Sequence, residues 1–224
     1  MNRRSESRTP PAPAPLRARI RETTVQAILT AAEEVFADAG LHAAHMDKIA
    51  AKAGVSVGTL YNHFEDREAL LGGLLAARRA DLVGRIDAAL AETASRPLRE
   101  RLRAVLDVFC AHCDAHRKFV NVVLQRELGR YQQTYPQAWA KKTDAMREIY
   151  ERLETEMKKG VKERALRADT AELAATFFFG MMRALIIRDF VFEAGGDMLA
   201  DSERLLDAFF NGMGSATGGR KATP

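Results

Sequence analysis

MDKIAAKAGVSVGTLYNHF, Met46 to Phe64, is the stretch on which the reading of the whole chain turns. Its first half places Met46, Ile49, Ala50 and Ala53 at helical spacing, one apolar face on a short helix. Gly54 follows, where a helix stops most easily on a residue that tolerates the left-handed conformation. Val55 then turns inward, and Ser56 stands where a hydroxyl caps the free amides of a second helix. That helix, Val57 to about Phe64, buries Leu60 and Phe64 and leaves Thr59, Tyr61, Asn62 and His63 outside. Gly58 in its first turn has no side chain, so a large flat partner can approach the backbone there. The pattern is a helix-turn-helix whose second helix presents hydroxyls, an amide and an imidazole, groups suited to phosphate oxygens and base edges.

GVSVGTLYNHF followed by EDREALL resembles the DNA-binding signature of the TetR family of bacterial transcriptional regulators, and the resemblance runs from about Ile28 through Leu71. It implies an all-α fold of about nine helices: a three-helix DNA-binding domain, then a helical ligand-binding and dimerisation domain. Matched position by position, it implies phosphate contacts from Ser56, Thr59, Tyr61, His63 and Arg67, with Val57, Gly58 and Asn62 near bases. The chain departs from the pattern at Ala44 and His45, where a capping Thr or Ser is usual, so His45 is the candidate for that phosphate contact. The implied function is a homodimeric repressor released from a palindromic operator in double-stranded DNA by an unknown small-molecule ligand. An activator, a ligand-independent regulator, and a metal or thiol sensor using Cys110 to His116 are the alternatives.

Composition narrows the rest. The formal net charge of +4 lives in the tails: residues 1–21 contribute +5 and residues 214–224 contribute +2, leaving −3 between them. The Arg-bearing arm before the helix-turn-helix is of the kind that reaches a minor groove, or is simply a solvated tail. No apolar run is long enough to span a bilayer, which argues against a membrane partner. The N-terminus lacks a signal peptide's apolar core, so a cytoplasmic location is expected. Two cysteines three positions apart exclude a disulfide framework. No phosphate loop, HExxH motif or ordered Ser/His/Asp set appears, so no enzyme, cofactor or metal is assigned.

The expected organisation is a disordered arm over 1–16, the DNA-binding domain over 17–65, the larger helical domain over 66–213 and a disordered tail over 214–224. The first helix begins between Leu16 and Thr24, either at a capping box of Thr23 with Gln26 or with the basic turn before it helical too; its stripe is Ile28, Ala31, Ala32, Val35 and Phe36 and its end is Gly40. Asp66 caps a long fourth helix with Leu70, Leu71, Leu74, Leu75, Leu82 and Ile86 inside. Gly72 and Gly73 interrupt it, as a bend or as close packing. Pro97 with Ser95 opens a fifth helix, Gly160 stops a seventh, and Asp169 with Glu172 caps an eighth.

In CAHCDAH, Cys110 to His116, His112 and His116 share a helix face, while Cys113 lies on the apolar stripe. Packing or pocket lining is the simpler reading of that stretch. A ligand pocket is expected from Phe109, His112, Cys113, Trp139, Met146, Tyr150, Phe177, Met181 and Arg183. Phe178, Met182, Leu185, Leu206, Phe209 and Phe210 are expected to pair with their two-fold mates in a four-helix bundle.

Overall fold

The computed structural model describes residues 15–131, 144–190 and 197–213; the side chains of 125–131, 144–146 and 213 are outside that description. Among the described residues every regular element is an α-helix. They are α1 (Leu16–Ala43), α2 (Met46–Ala53), α3 (Val57–His63), α4 (Arg67–Glu92), α5 (Leu98–Ala115), α6 (Arg117–Tyr131), α7 (Asp144–Lys162), α8 (Ala171–Phe190) and α9 (Met198–Met213). The all-α expectation therefore holds. The chain divides into two compact units at Gly72 and Gly73, inside α4, rather than between residues 65 and 66.

The first unit closes around Ile28, Leu29, Ala32, Phe36, Ile49, Ala50, Leu60, Leu70 and Leu71. Its first helix takes the earlier of the two expected starts, at Leu16. Thr23 and Thr24 lie inside α1 and donate their hydroxyls to Arg19 O and Ile20 O at 3.0 and 2.9 Å. Gly40 breaks the helix as expected, with φ 79° and ψ 162°, values that only glycine adopts without strain.

The second unit has its own core: Leu82, Val83 and Ile86 of α4, the α5 stripe, Ile149, Leu153 and Met157 of α7, Phe178 and Met182 of α8, and Leu206 and Phe209 of α9. Leu75 does not join the buried stripe of α4 and is 39% exposed. Gly72 is not there for close packing either, since a Cβ on it would meet nothing within 4 Å. Pro97 is the N-cap of α5 and makes no side-chain cap bond. The eighth helix opens at Thr170, whose hydroxyl donates to Arg167 O at 2.8 Å, and not at a capping Asp169.

Gly160 does not stop α7, which runs on to Lys162. It is buried against α5, and a Cβ there would stand 2.4 Å from Leu98 Cδ2. The turn that ends the helix is made by Arg164 at φ 60°, while the Gly160 carbonyl accepts from Ala165 N at 2.8 Å and Leu166 N at 3.2 Å. A buried ion network ties the same region together. Arg101, 2% exposed, donates to Glu156 at 2.7 Å, to Glu163 at 3.0 Å and to the Arg96 carbonyl at 2.6 Å.

Candidate nucleic-acid interface

The turn between α2 and α3 forms as the residue types require. Gly54 closes α2 in the left-handed region at φ 70°, and Val55 N reaches back to Ala50 O at 3.0 Å. Ser56 is the N-cap of α3, its hydroxyl accepting from Thr59 N at 3.0 Å. The same oxygen lies 2.8 Å from Thr59 Oγ1. One O–H satisfies that pair, and the other proton remains for an outside acceptor such as a phosphate oxygen.

Behind this surface Leu60 is fully buried. In front of it Val57 and Tyr61 are 43% and 49% exposed, and Gly58 and Asn62 are exposed as well. His63 is half-buried and His45 exposed. Gly58 is informative because nothing in the fold asks for it. Its φ is ordinary, and a Cβ would meet only Ser56 Oγ at 3.9 Å. The glycine weakens a short helix without serving the chain's own packing, and it leaves the backbone there open to approach.

One expected contact has a prior engagement. Arg67 donates Nη1 to the His42 carbonyl at 2.6 Å, so its guanidinium holds the start of α4 to the end of α1 with its other donors left over. Asp66 caps α4 through Ala69 N at 2.7 Å. The α2 terminus has no side-chain cap, since His45 occupies the N-cap position without making the bond. Ala44 beside it is buried. Residues 15–72 carry six Arg and Lys against eight Asp and Glu, a net of −2. The cations available for phosphates are therefore concentrated on the first turns of α1, where Arg17, Arg19 and Arg21 are exposed, with Lys48 exposed on α2. These four were not singled out from sequence; a run of alternating arginines directly before an apolar stripe was the available signal.

The pocket and pairing residues need correction. Phe109, His112 and Cys113 are buried. Tyr150 and Met181 are half-buried, Tyr150 reaching Thr176 Oγ1 at 3.1 Å. Phe177, 52% exposed, and Arg183, also exposed, instead face outward from α8 and line no interior space. Trp139 and the Met146 side chain lie outside the described residues. Phe178, Met182, Leu185, Leu206 and Phe209 are all buried within the chain itself, with Phe178 and Phe209 edge to face at 5.2 Å. They are core, not a pairing surface; only Phe210 is partly exposed. The helical period explains the error, because α8 turns Ala174, Ala175, Phe178, Met182 and Leu185 inward and leaves Leu173, Phe177, Gly180 and Ala184 outward. Neither cysteine is a reactive thiol: both are buried, and burial pushes each up to about 12.

A glycine-turned helix pair presenting a polar second helix, followed by a separate all-helical unit, is a helix-turn-helix arrangement. Residues 28–74 match the family model described as bacterial regulatory proteins, tetR family. In this region the chain is similar to the TetR family. It is 44% identical over 82 residues to the HTH-type transcriptional activator FasR of Mycolicibacterium smegmatis, a match covering 37% of this chain and 36% of that one. It is 34% identical over 79 residues to the fatty acid metabolism regulator protein of Bacillus subtilis, covering 35% and 40%. The chain thus spans well under half the length of these two relatives. In structure it resembles the transcriptional regulator FadR from Bacillus subtilis in complex with stearoyl-CoA, with a TM-score of 0.71 at 23% identity over 84% of this chain and 98% of that one. Among the described residues no helix is long and apolar enough to cross a membrane.

Proposed function

We propose that the protein is a transcriptional regulator that binds a palindromic operator as a homodimer and is released by a small-molecule ligand. The observation that carries the DNA-binding part is the exposed face of α3, where Val57, Tyr61 and Asn62 surround Gly58, a glycine the fold does not need. One such helix reads only a few base pairs, so specificity requires two, about 34 Å apart across a two-fold axis. Pairing runs through the outward face of α8 and α9, where Leu173, Phe177 and Leu199 are 58%, 52% and 45% exposed. Phe177→Glu yields folded monomers in sedimentation, whereas Phe209→Glu unfolds the second unit.

For the ligand, the likeness to a fatty acid metabolism regulator and to a stearoyl-CoA complex supports a long-chain acyl-CoA. A hundredfold loss of operator affinity on binding requires about 2.7 kcal/mol of coupling. Linkage then requires the operator to weaken ligand binding by the same factor. The test is anisotropy with operator DNA selected from random sequence, with and without stearoyl-CoA, and ligand affinity with and without that DNA. Equal affinities in both directions refute the gated switch, and absence of any selected sequence refutes the regulator. The activator reading is favoured by the name of one relative, FasR. Transcription from a promoter carrying the selected site decides it, rising when the protein is deleted if it represses and falling if it activates.

A further inference from the structure

We propose that Asp81 of α4 together with His112 and His116 of α5 forms a binding site for a first-row divalent transition-metal ion, with zinc the best fit. The two histidines stand one helical turn apart on α5, their ring centroids 4.7 Å apart and tilted by 54°. Asp81, thirty-one positions earlier in sequence, comes up opposite them with Oδ2 3.4 Å from His112 Nδ1. One donor atom from each of the three lies within 4.8 Å of the others. Donors held at 2.0–2.1 Å around a tetrahedral ion are separated by about 3.4 Å. The Asp81–His112 edge already has that length, and His116, only half-buried, closes the remaining edges by a change of rotamer.

The condition of His112 points the same way. The residue is 6% exposed, and its Nδ1 is buried without a hydrogen-bond partner. A buried nitrogen is destabilising when nothing satisfies it. The 3.4 Å separation from Asp81 does not make a hydrogen bond, yet it suits two ligands of one ion. An imidazole nitrogen so placed, with no proton donor of the protein upon it, can offer its lone pair to a cation.

Two imidazoles and one carboxylate leave a position for water and favour zinc, cobalt or nickel over calcium and magnesium, which take oxygen ligands. The nearby thiols take no part: Cys110 points to the Met198 carbonyl at 3.7 Å, and both thiols stay protonated. Arg85 opposes the ion, lying 3.9 Å from the same Asp81 oxygen, and Arg78 and Arg85 both bring positive charge to bear on His112. The site is therefore weaker than a closed structural zinc centre, and Arg85 swings outward when it fills. Asp81 is exposed, which gives the ion its route in.

The experiment uses the untagged full-length protein with zinc and cobalt chlorides and makes no use of DNA. Calorimetry is expected to give one zinc per chain. Cobalt is expected to give visible ligand-field bands of a nitrogen–oxygen site with no thiolate charge-transfer band. His116→Ala and Asp81→Asn each lower zinc affinity at least tenfold, while Cys110→Ala with Cys113→Ala leaves it unchanged. Asp81→Asn alters an exposed side chain and carries the test should His116→Ala fail to fold. No stoichiometric binding, or a thiolate band, overturns the proposal. So does binding that survives both substitutions, because it then belongs to His42, His45 or His63.

Discussion

Gly58→Ala separates what the fold needs from what an external surface needs. The substitution adds one methyl group to the second residue of α3, on an exposed face. The nearest heavy atom the methyl meets is Ser56 Oγ at 3.9 Å, an ordinary van der Waals contact, and φ is not in the left-handed region. No strain is added, and alanine replaces the least favourable helix residue after proline, a gain of up to about 1 kcal/mol and roughly half that at a helix start. Stability measured by urea unfolding therefore rises by about 0.5 kcal/mol. If bases or sugars come against this backbone, the same methyl group occupies their space. Separating the surfaces enough to admit it removes contacts on both half-sites, and a loss of about 1.4 kcal/mol is a factor of ten in affinity. Anisotropy with selected operator DNA is expected to show at least that loss, with non-specific binding at low salt nearly unchanged. Opposite signs are the signature. An affinity that stays level or rises while stability rises refutes the assignment of Gly58 to the interface. A fall in stability refutes the account of free space around it.

Arg67→Ala removes the donor to the His42 carbonyl, so it costs about 1–2 kcal/mol of first-unit stability and lowers the salt slope of DNA binding by about one; Tyr61→Ala, on an exposed ring, lowers affinity and leaves the unfolding midpoint in place. Gly160→Ala inserts a Cβ 2.4 Å from Leu98 Cδ2, and despite alanine's better helix propensity it destabilises the second unit by about 1–3 kcal/mol in thermal unfolding. Arg101→Ala leaves buried Glu156 to Lys159, 2.6 Å from its Oε1, and costs up to about 3 kcal/mol; Glu156→Gln on top of it recovers part of that loss in the same unfolding assay. Cys110 and Cys113, buried and held near 12, react with an alkylating reagent at pH 8 only as fast as the unit opens, so adding urea through the unfolding transition accelerates labelling sharply.

What the sequence determined by itself lies within one or two helical turns. Gly54 in the left-handed region, Ser56 as cap of α3, Asp66 as cap of α4 and the burial of Leu60 follow from interactions between residues a few positions apart, which residue type and spacing encode directly. The same local rules found the helices but misjudged some ends, because Asp169 and Gly160 are good punctuation marks that packing overrode. Gly160 is the plainest instance: its reason is Leu98, sixty-two positions away, and no pattern around residue 160 announces that neighbour. Likewise, α8 is apolar over most of its circumference, so its sequence cannot say which stripe the other helices cover. The packing of α5, α7 and α9 decided that Phe178 goes inside and Phe177 faces out. Asp81 and the His112–His116 pair sit on separate helices, each unremarkable in its own segment. Only the closure of α4 on α5 sets a carboxylate oxygen 3.4 Å from a buried imidazole nitrogen, because a ligand set shared between helices exists as a distance and not as a motif.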